Sequence, residues 1–254
     1  MQGVGLSQTQ KKSDLMLAPS LKAIVIGAIP YSDSSKVVKV LTREHGILPV
    51  FVRVSKKTIA LWHPLATIEL SEVKRKNSNS LATFKGVERV SSAIETLRDP
   101  KRTALAFFLS EVLEKSVHEG THIDGVFDVL EEAVCLLEHD KHVANLHFYA
   151  IAKVVLALGL MPENAGDSGH SLHLETGEWH DVKPRLSKTS YLLKYDLAEL
   201  MIKIPGMDFV DMRNICLNQN DRKDLLLAMV MFIQLHHAGL REIKSYEVLE
   251  TIFD

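Results

Sequence analysis

The chain has 254 residues and a net charge of −2, and its 46% hydrophobic and 24% charged residues exclude a disordered or fibrous protein. No apolar run reaches the roughly 18 residues that cross a membrane, and residues 1–20, which lack the apolar core of a signal peptide, are predicted to be a flexible extension of a cytoplasmic protein. The two cysteines, Cys135 and Cys216, are too few for a disulfide framework.

Residues 21–95 alternate between apolar and polar positions, as strands do. The alternation recurs in segments rich in Val, Ile, Phe and Thr, at residues 22–29, 35–42, 47–54, 65–73 and 81–90. Turn sequences separate them: Glu44-His45-Gly46 has a glycine free to take a positive φ, and residues 77–80 read Asn-Ser-Asn-Ser. Five short strands in about eighty residues predict a small closed or partly closed barrel.

The third of these segments predicts two different faces. Leu48, Val50, Val52 and Val54 alternate on one side and would fill the barrel, whereas Phe51 and its odd-numbered neighbours would point outward. An outward Phe51 beside an outward Arg53 suits stacking of a base, with the cation near a phosphate. Packing of Phe51 against a neighbouring domain is the alternative, and the sequence leaves both open.

Basic residues gather in and after these strands. Lys56 and Lys57 follow the third strand, and the run Lys74-Arg75-Lys76 ends the fourth. Two basic loops beside a barrel predict an electrostatic funnel for a nucleic-acid backbone. The candidate nucleic-acid-binding residues are Lys36, Lys39, Arg43, Phe51, Arg53, Lys56, Lys57, Lys74, Arg75 and Lys76.

From about residue 96 the hydrophobic period becomes helical. Apolar residues recur three and four positions apart in the segments 104–113, 127–137, 143–160, 196–204, 221–237 and 245–253. The chain is therefore predicted to be an α+β protein with two domains. Residues 21–95 form the barrel, and residues 96–254 form an α-helical bundle with a small irregular insert at about 162–185.

The two predicted domains carry opposite charge. Residues 21–102 contain fifteen Lys or Arg and seven Asp or Glu, whereas residues 103–254 contain thirteen and twenty-four. A basic front and an acidic back suggest different partners, and the front should attract a polyanion. Chance segregation of solvated charge is the alternative interpretation.

One short motif favours a different function. Residues 118–122, His-Glu-Gly-Thr-His, match the H-E-x-x-H pattern. On one helix His118 and His122 would bind zinc and Glu119 would be the general base of a metallopeptidase. Gly120, and the position of the segment between two amphipathic helices, argue for a loop instead. We therefore expect no catalytic residues, no cofactor and no metal, with the zinc metallopeptidase kept as the alternative.

Several segments, in their order along the chain, resemble the bacterial RecO family of recombination mediators. They are KAIVIGAIPYSDSSKVVKVLTREHGILPVFVRVSKK from residue 22, LWHPLATIELSEVKRK from 61, GLMPE from 159, LETGEW from 174 and REIKSYEVL from 241. The resemblance implies an N-terminal five-stranded OB-fold barrel, a helical C-terminal domain and no catalytic site.

The same resemblance implies a role in DNA repair by homologous recombination after DNA damage. Members of the family bind single- and double-stranded DNA and anneal complementary strands. They pair with RecR, bind the acidic C-terminal tail of single-strand-binding protein, and thereby help to load RecA. In the family the tail docks on the helical domain. The basic candidates there are Lys115, Lys141, Lys153, Lys183, Arg185, Lys188, Arg213, Arg222, Lys223 and Arg241.

The chain departs from the family pattern after GLMPE. Many relatives carry a four-cysteine zinc site there, whereas this chain reads NAGDSGHSLHLETGEW. Two cysteines elsewhere in the chain cannot form such a site. We therefore predict that packing of Leu172, Leu174 and Trp179 holds this region without zinc.

Overall fold

The computed structural model describes residues 15–77, 79–90, 98–119, 123–162, 169–187, 190–237 and 242–253. The chain begins with a five-stranded antiparallel sheet, and a short 3-10 turn, Ile59–Leu61, links its third and fourth strands. The strands are β1 (Leu15–Ser32), β2 (Ser35–Thr42), β3 (Gly46–Arg53), β4 (Thr67–Arg75) and β5 (Gly86–Arg89), in the spatial order β3-β2-β1-β4-β5.

The five predicted strands are confirmed, but the sheet does not close into the expected barrel. Within the described residues no ladder joins β3 to β5. The opening between β3 and β4, which we call the seam, is crossed instead by two isolated bridges. Ala82 is bridged to Val50 of β3, and Thr83 is bridged to Lys74 of β4. The first half of the expected strand 81–90 is thus used to cross this seam, and only its second half forms a regular ladder with β4.

β1 begins earlier than the sequence pattern indicated. Leu15–Ser20, which belong to the predicted flexible extension, pair with β4, with Leu15 opposite Arg75 and Ser20 opposite Ser71. Pro19 lacks a backbone donor, and it interrupts the pattern that would identify a strand. Residues 1–14 of the predicted extension lie outside the described residues.

The two predicted turns are present. Gly46 has φ of 60°, and the Thr42 side chain accepts a hydrogen bond from the His45 backbone N–H at 3.1 Å while donating to the Gly46 carbonyl at 2.9 Å. In the second turn the Asn77 side chain accepts from the Asn79 backbone N–H at 3.0 Å, as in an Asx turn.

The rest of the chain is mainly helical, as predicted. Asp99 begins the first helix, since its side chain accepts the Lys101 backbone N–H at 2.8 Å and Pro100 occupies the first helical position. None of the helices in the described ranges is long and apolar enough to cross a membrane. The helices are α1 (Pro100–Ser116), α2 (Val126–His139), α3 (Leu146–Ala157), α4 (Tyr195–Lys203), α5 (Phe209–Asn214), α6 (Gln219–His236) and α7 (Ser245–Phe253).

The insert expected to be irregular contains a second, four-stranded antiparallel sheet. Its strands are β6 (Ser171–His173), β7 (Trp179–His180), β8 (Arg185–Ser187) and β9 (Ser190–Lys194), in the order β7-β6-β9-β8. Leu172 and Leu174 are fully buried in the helical core, and Trp179 packs against it. The predicted packing role of these three side chains is confirmed.

Two hydrophobic cores organise the molecule. The sheet core lies inside the curved sheet and contains residues such as Val38, Leu48 and Ile68. The helical core contains the buried faces of the helices together with Ile24, Ile26, Leu41 and Ile47 of the large sheet and Leu65 of the turn before β4. One end of the sheet is therefore buried against the helices, and the other end extends beyond them.

Candidate nucleic-acid interface

The outer face of β1, β2 and β3 passes from buried to exposed along the strands. Read across the three strands in register, its successive rows are Ile24–Leu41–Ile47, Gly27–Lys39–Pro49 and Ile29–Val37–Phe51. The first row belongs to the helical core, whereas Ile29 in the third is 51% exposed. The third row therefore lies past the edge of the helical bundle.

Two aromatic rings meet at this exposed end. The Tyr31 ring lies 5.6 Å from the Phe51 ring, centroid to centroid, in a T-shaped arrangement. Tyr31 is 67% exposed and Phe51 is half-buried. Among the described residues Phe51 belongs to neither core. Arg53, at the next outward position of β3, is exposed.

Two of the candidate cations face the helices instead. Lys39 forms ion pairs with Glu114 at 3.2 Å and Glu119 at 3.4 Å. The Arg43 guanidinium lies 4.7 Å from the centre of the Phe127 ring, and its carboxylate partners on α2 are Asp128 and Glu131. Helical carboxylates already neutralise both cations. The alternation of apolar and polar residues along β2 did not predict these ion pairs.

A third candidate stabilises its own loop. The Arg75 Nε–H donates to the Ser80 carbonyl at 2.8 Å, across the turn that follows β4. The remaining cations form no ion pair within the described residues: Lys36, Arg53, Lys56, Lys57, Lys74 and Lys76. These six are the part of the predicted set whose charge is not balanced by a carboxylate.

The loop that carries Lys56 and Lys57 is held by its own polar side chains. The Ser55 backbone N–H donates to the Thr58 hydroxyl oxygen at 3.1 Å, and the Thr58 backbone N–H donates to the Ser55 hydroxyl oxygen at 3.3 Å. The chain then enters the 3-10 turn at Ile59. Both lysines are exposed between these two anchors, so their ammonium groups are free to meet solvent or a ligand.

The seam of the sheet brings the second basic run towards β3. Ala82 is bridged to Val50, and the adjacent Thr83 is bridged to Lys74. Two strand spacings of about 4.8 Å therefore separate the backbones of β3 and β4 here, roughly 10 Å in all. The basic run that begins at Lys74 therefore starts beside the middle of β3. We refer to the six cations without an ion pair among the described residues as the cationic band.

His118 and Glu119 of the H-E-x-x-H segment do not lie on the helix that a metallopeptidase needs. α1 ends at Ser116, before His118 and Glu119. Glu119 is bridged to Ile47 of β3 and paired with Lys39, and the His118 ring stacks on His237 at 5.1 Å. His122 lies outside the described residues. Within those residues, no group of three His, Cys, Asp or Glu side chains is arranged to hold a metal ion.

The basic candidates of the helical domain divide by their partners. Lys115 and Lys223 pair with glutamates, Lys153 with Glu132, and Arg222 donates to the Ala144 carbonyl and the Asn145 side chain. Lys183 and Arg185 are exposed near and on β8, and Lys188 and Arg241 lie outside the described residues.

The last two candidates, Lys141 and Arg213, lie in a cleft of about 610 Å³ between α1, α5 and the segment before α3. Lys101, Arg102 and His142 add further basic groups to its lining, and Val143 and Ala144 add apolar ones. Two carboxylates partly offset this charge, since Asp99, which also lines the cleft, pairs with Arg102 at 3.4 Å and Asp140 pairs with Arg213 at 2.9 Å. The cleft combines the basic and apolar surface that an acidic tail with an apolar end requires.

Comparison with known proteins agrees with this architecture. The family model "Recombination protein O N terminal" matches residues 16–93, and "Recombination protein O C terminal" matches residues 97–247. Proteins named DNA repair protein RecO are similar over most of their length. The protein from Flavobacterium psychrophilum is 29% identical, covering 91% of this chain and 98% of the relative, and that from Bacteroides fragilis is 28% identical, covering 91% and 97%.

A more distant relative of the same name, from an Exiguobacterium species, is 23% identical over 90% of this chain and 94% of its own. The two family models together span both sheets and nearly all of the helical bundle. On these matches, the chain belongs to the RecO family of DNA repair proteins.

Proposed function

We propose that this protein is a non-enzymatic mediator of recombinational DNA repair that binds single- and double-stranded DNA on the exposed end of its five-stranded sheet. The cationic band supports the proposal most directly, because its six Lys and Arg side chains have no carboxylate partners in the described structure. Contacts to phosphates carry no base information, so the sequence preference should be slight.

Annealing follows from the same surface without any covalent step. Two complementary strands repel each other through their phosphates, and a cationic band that neutralises part of both charges lowers this repulsion. Lys39 and Arg43, which α1 and α2 already neutralise, have no part in this proposed path. Lys36, Arg53, Lys56, Lys57, Lys74 and Lys76 carry it.

Family membership and the acidic helical domain support the proposed partners. We propose that the protein pairs with RecR in the bacterial cytoplasm, at the nucleoid during repair, and helps to load RecA onto strands coated by single-strand-binding protein. The acidic tail of single-strand-binding protein would dock in the cleft of Lys101, Lys141 and Arg213, with Val143 and Ala144 receiving its apolar end. Charge complementarity would guide this encounter.

The salt dependence of DNA binding tests the cationic band. Replacing Lys56 and Lys57 together by Ala removes two phosphate contacts. For single strands the slope of log K against log salt is about −0.7 per phosphate, so the slope should flatten by roughly 1.4. Fluorescence anisotropy with oligonucleotides of several sequences should give the same change for each, because the contacts are to phosphates.

A matched control removes the same charge elsewhere. Lys203 and Lys223 pair with Glu199 at 2.8 Å and Glu250 at 3.4 Å in the helical domain, and their double Ala variant should keep the wild-type salt slope. Equal slopes for the wild type and the Lys56/Lys57 variant would show that these lysines do not meet phosphates.

Tail docking can be tested with a labelled peptide that carries the acidic tail. The Lys141→Ala and Arg213→Ala variants should each bind the peptide several-fold more weakly, since a partly exposed charge contact contributes about 1 kcal/mol or less. Lys183→Ala removes a positive charge from an exposed residue outside the cleft and serves as the control. Unchanged binding by both cleft variants would place the tail elsewhere on the protein.

A further inference from the structure

The proposed binding of phosphates by the cationic band gives no role to the exposed row on the outer face of the sheet. Ile29 is 51% exposed and Tyr31 is 67% exposed, although both follow the buried Ile24 and Ile26 along β1. Contacts between phosphate groups and apolar side chains would not strengthen DNA binding. An apolar row bordered by cations indicates a ligand that is itself both flat and charged.

The Tyr31 ring is held in position while most of its surface stays free. Its T-shaped contact with Phe51, at 5.6 Å, is of the kind that adds about 0.5–1.5 kcal/mol beyond area burial. Phe51 is fixed in turn by the ladder to Val37 and by its backbone N–H, which donates to the Ala82 carbonyl at 2.9 Å. Phe51 therefore supports the more exposed Tyr31.

The charges around the two rings indicate the path that a bound polyanion would follow. On the helical side, Lys39 lies one row away and is occupied by Glu114 and Glu119. On the opposite side, Arg53 lies at the next outward position of β3, and Lys56 and Lys57 follow it. Asp33, in the turn after Tyr31, is the acidic group at this end of β1. A polyanion that contacts the rings should therefore continue towards Arg53 and the two lysines.

We infer that Tyr31, supported by Phe51, is a stacking platform for an unpaired base, and that it favours single-stranded over duplex DNA at the interface proposed above. In a duplex both faces of each base are covered by its neighbours, so only an unstacked base can lie on a side chain. The cations of the band contact phosphates in either form. The inference rests on the proposed DNA binding and assigns its selectivity to a residue separate from the charge.

Replacing Tyr31 by Ala in the full-length protein tests the platform. Loss of one stacking residue should weaken single-strand binding roughly 5- to 150-fold. Duplex binding and both salt slopes should stay at wild-type values, because no charge is lost. Tyr31→Phe keeps the ring and should bind as the wild type does. Phe107→Ala, which removes a ring 53% exposed on α1, is the control and should change nothing.

A spectroscopic variant reports contact directly. Tyr31→Trp places an indole at the platform, and its fluorescence should be quenched by oligo(dT) and not by a blunt duplex of similar length. A melting temperature equal to that of the wild type shows that Tyr31→Ala is folded. If the Tyr31→Ala variant is unfolded, the fluorescence of the Tyr31→Trp variant tests the stacking platform.

The outcomes separate the two claims. If Tyr31→Ala binds single strands as tightly as the wild type, or Tyr31→Trp is not quenched while it binds, the platform is wrong and the cationic band can still stand. An equal loss of affinity for single strands and duplex also overturns the platform. If the wild-type protein binds neither form of DNA, the proposed function itself fails.

Discussion

His147 lies within the helical core, where its ring contacts Phe108 and Phe148. Burial disfavours the charged imidazolium, and the nearby Arg222 guanidinium adds repulsion, so that the pKa of His147 falls to about 3 from 6.5. The unfolded chain therefore binds a proton at a higher pH than the native protein does. The stability associated with this neutral ring is present above pH 6.5 and is lost as the pH falls towards 3.

Replacing His147 by Phe should remove this acid sensitivity. At pH 4 the wild type should lose about 3 kcal/mol of unfolding free energy relative to pH 7, beyond what the variant loses. Urea unfolding at both pH values measures the difference, which is independent of any packing cost that the new ring has at pH 7. His139→Gln, at an exposed position on α2, is the control. Equal pH dependence in His147→Phe and wild type would contradict the burial argument.

Residue-scale features were also the hardest to predict from the sequence. Lys39 and Lys56 have the same side chain in the same basic front, yet Glu114 and Glu119 neutralise only Lys39. Those partners are at least 75 positions away along the chain, so local alternation held no information about them. Tyr31, which we infer to be a stacking platform, was not predicted, because the register of β1 is irregular between Val25 and Gly27 and again between Pro30 and Ser32.

At the scale of elements, α7 is tied to α1 through one carboxylate. Glu111 accepts hydrogen bonds from the backbone N–H groups of Lys244 and Ser245, at 3.2 and 2.8 Å, and from the Ser245 hydroxyl. Burial acts to raise the pKa of Glu111, but these bonds and the Lys115 ammonium outweigh it and hold the pKa at about 2. A side chain on one helix thus caps the first turn of another.

Glu111→Gln should loosen α7. Loss of a charged cap costs about 1–2 kcal/mol in helices generally, and amide exchange within Ser245–Phe253 should speed up accordingly. Because the folded pKa lies below the usual 4.5, the wild type should lose this stabilisation as the pH falls from 4.5 towards 2, and the variant should not. A double-mutant cycle with Ser245→Ala measures the coupling. Additive effects of the two substitutions would show that the hydrogen bond from the Ser245 hydroxyl to Glu111 does not contribute to stability.

The type of most elements was predictable, and their edges were not. The apolar periods identified the five strands and the long helices because each element buries one face. The start of β1 was missed since Pro19 breaks the pattern, and the closure of the barrel was overestimated because Ala82 and Thr83 make only isolated bridges. The short strands of the small sheet, such as Trp179–His180, give too few residues for a period to appear.

At the scale of the whole molecule, the two predicted domains share a core. Ile24, Leu41 and Ile47 of the large sheet are fully or almost fully buried in the cluster that also contains Leu105 and Phe108 of α1. A fragment of residues 21–95 would expose these side chains to water. The proposed division between DNA binding by the sheet and protein binding by the helices should therefore be tested by substitutions in the full chain rather than by fragments.

The ion pairs between the sheet and the helices also shape the field around the protein. They cancel charge where the two parts meet, at Lys22, Lys39 and Arg43. The cations of the sheet that have no ion pair among the described residues remain positive, and the acidic excess lies in the helices, so the molecule has an electric dipole. In the field of a polyanion such a molecule turns before it makes contact. The first collisions with DNA would then bring the exposed end of the sheet forward, so that a larger share of encounters is productive.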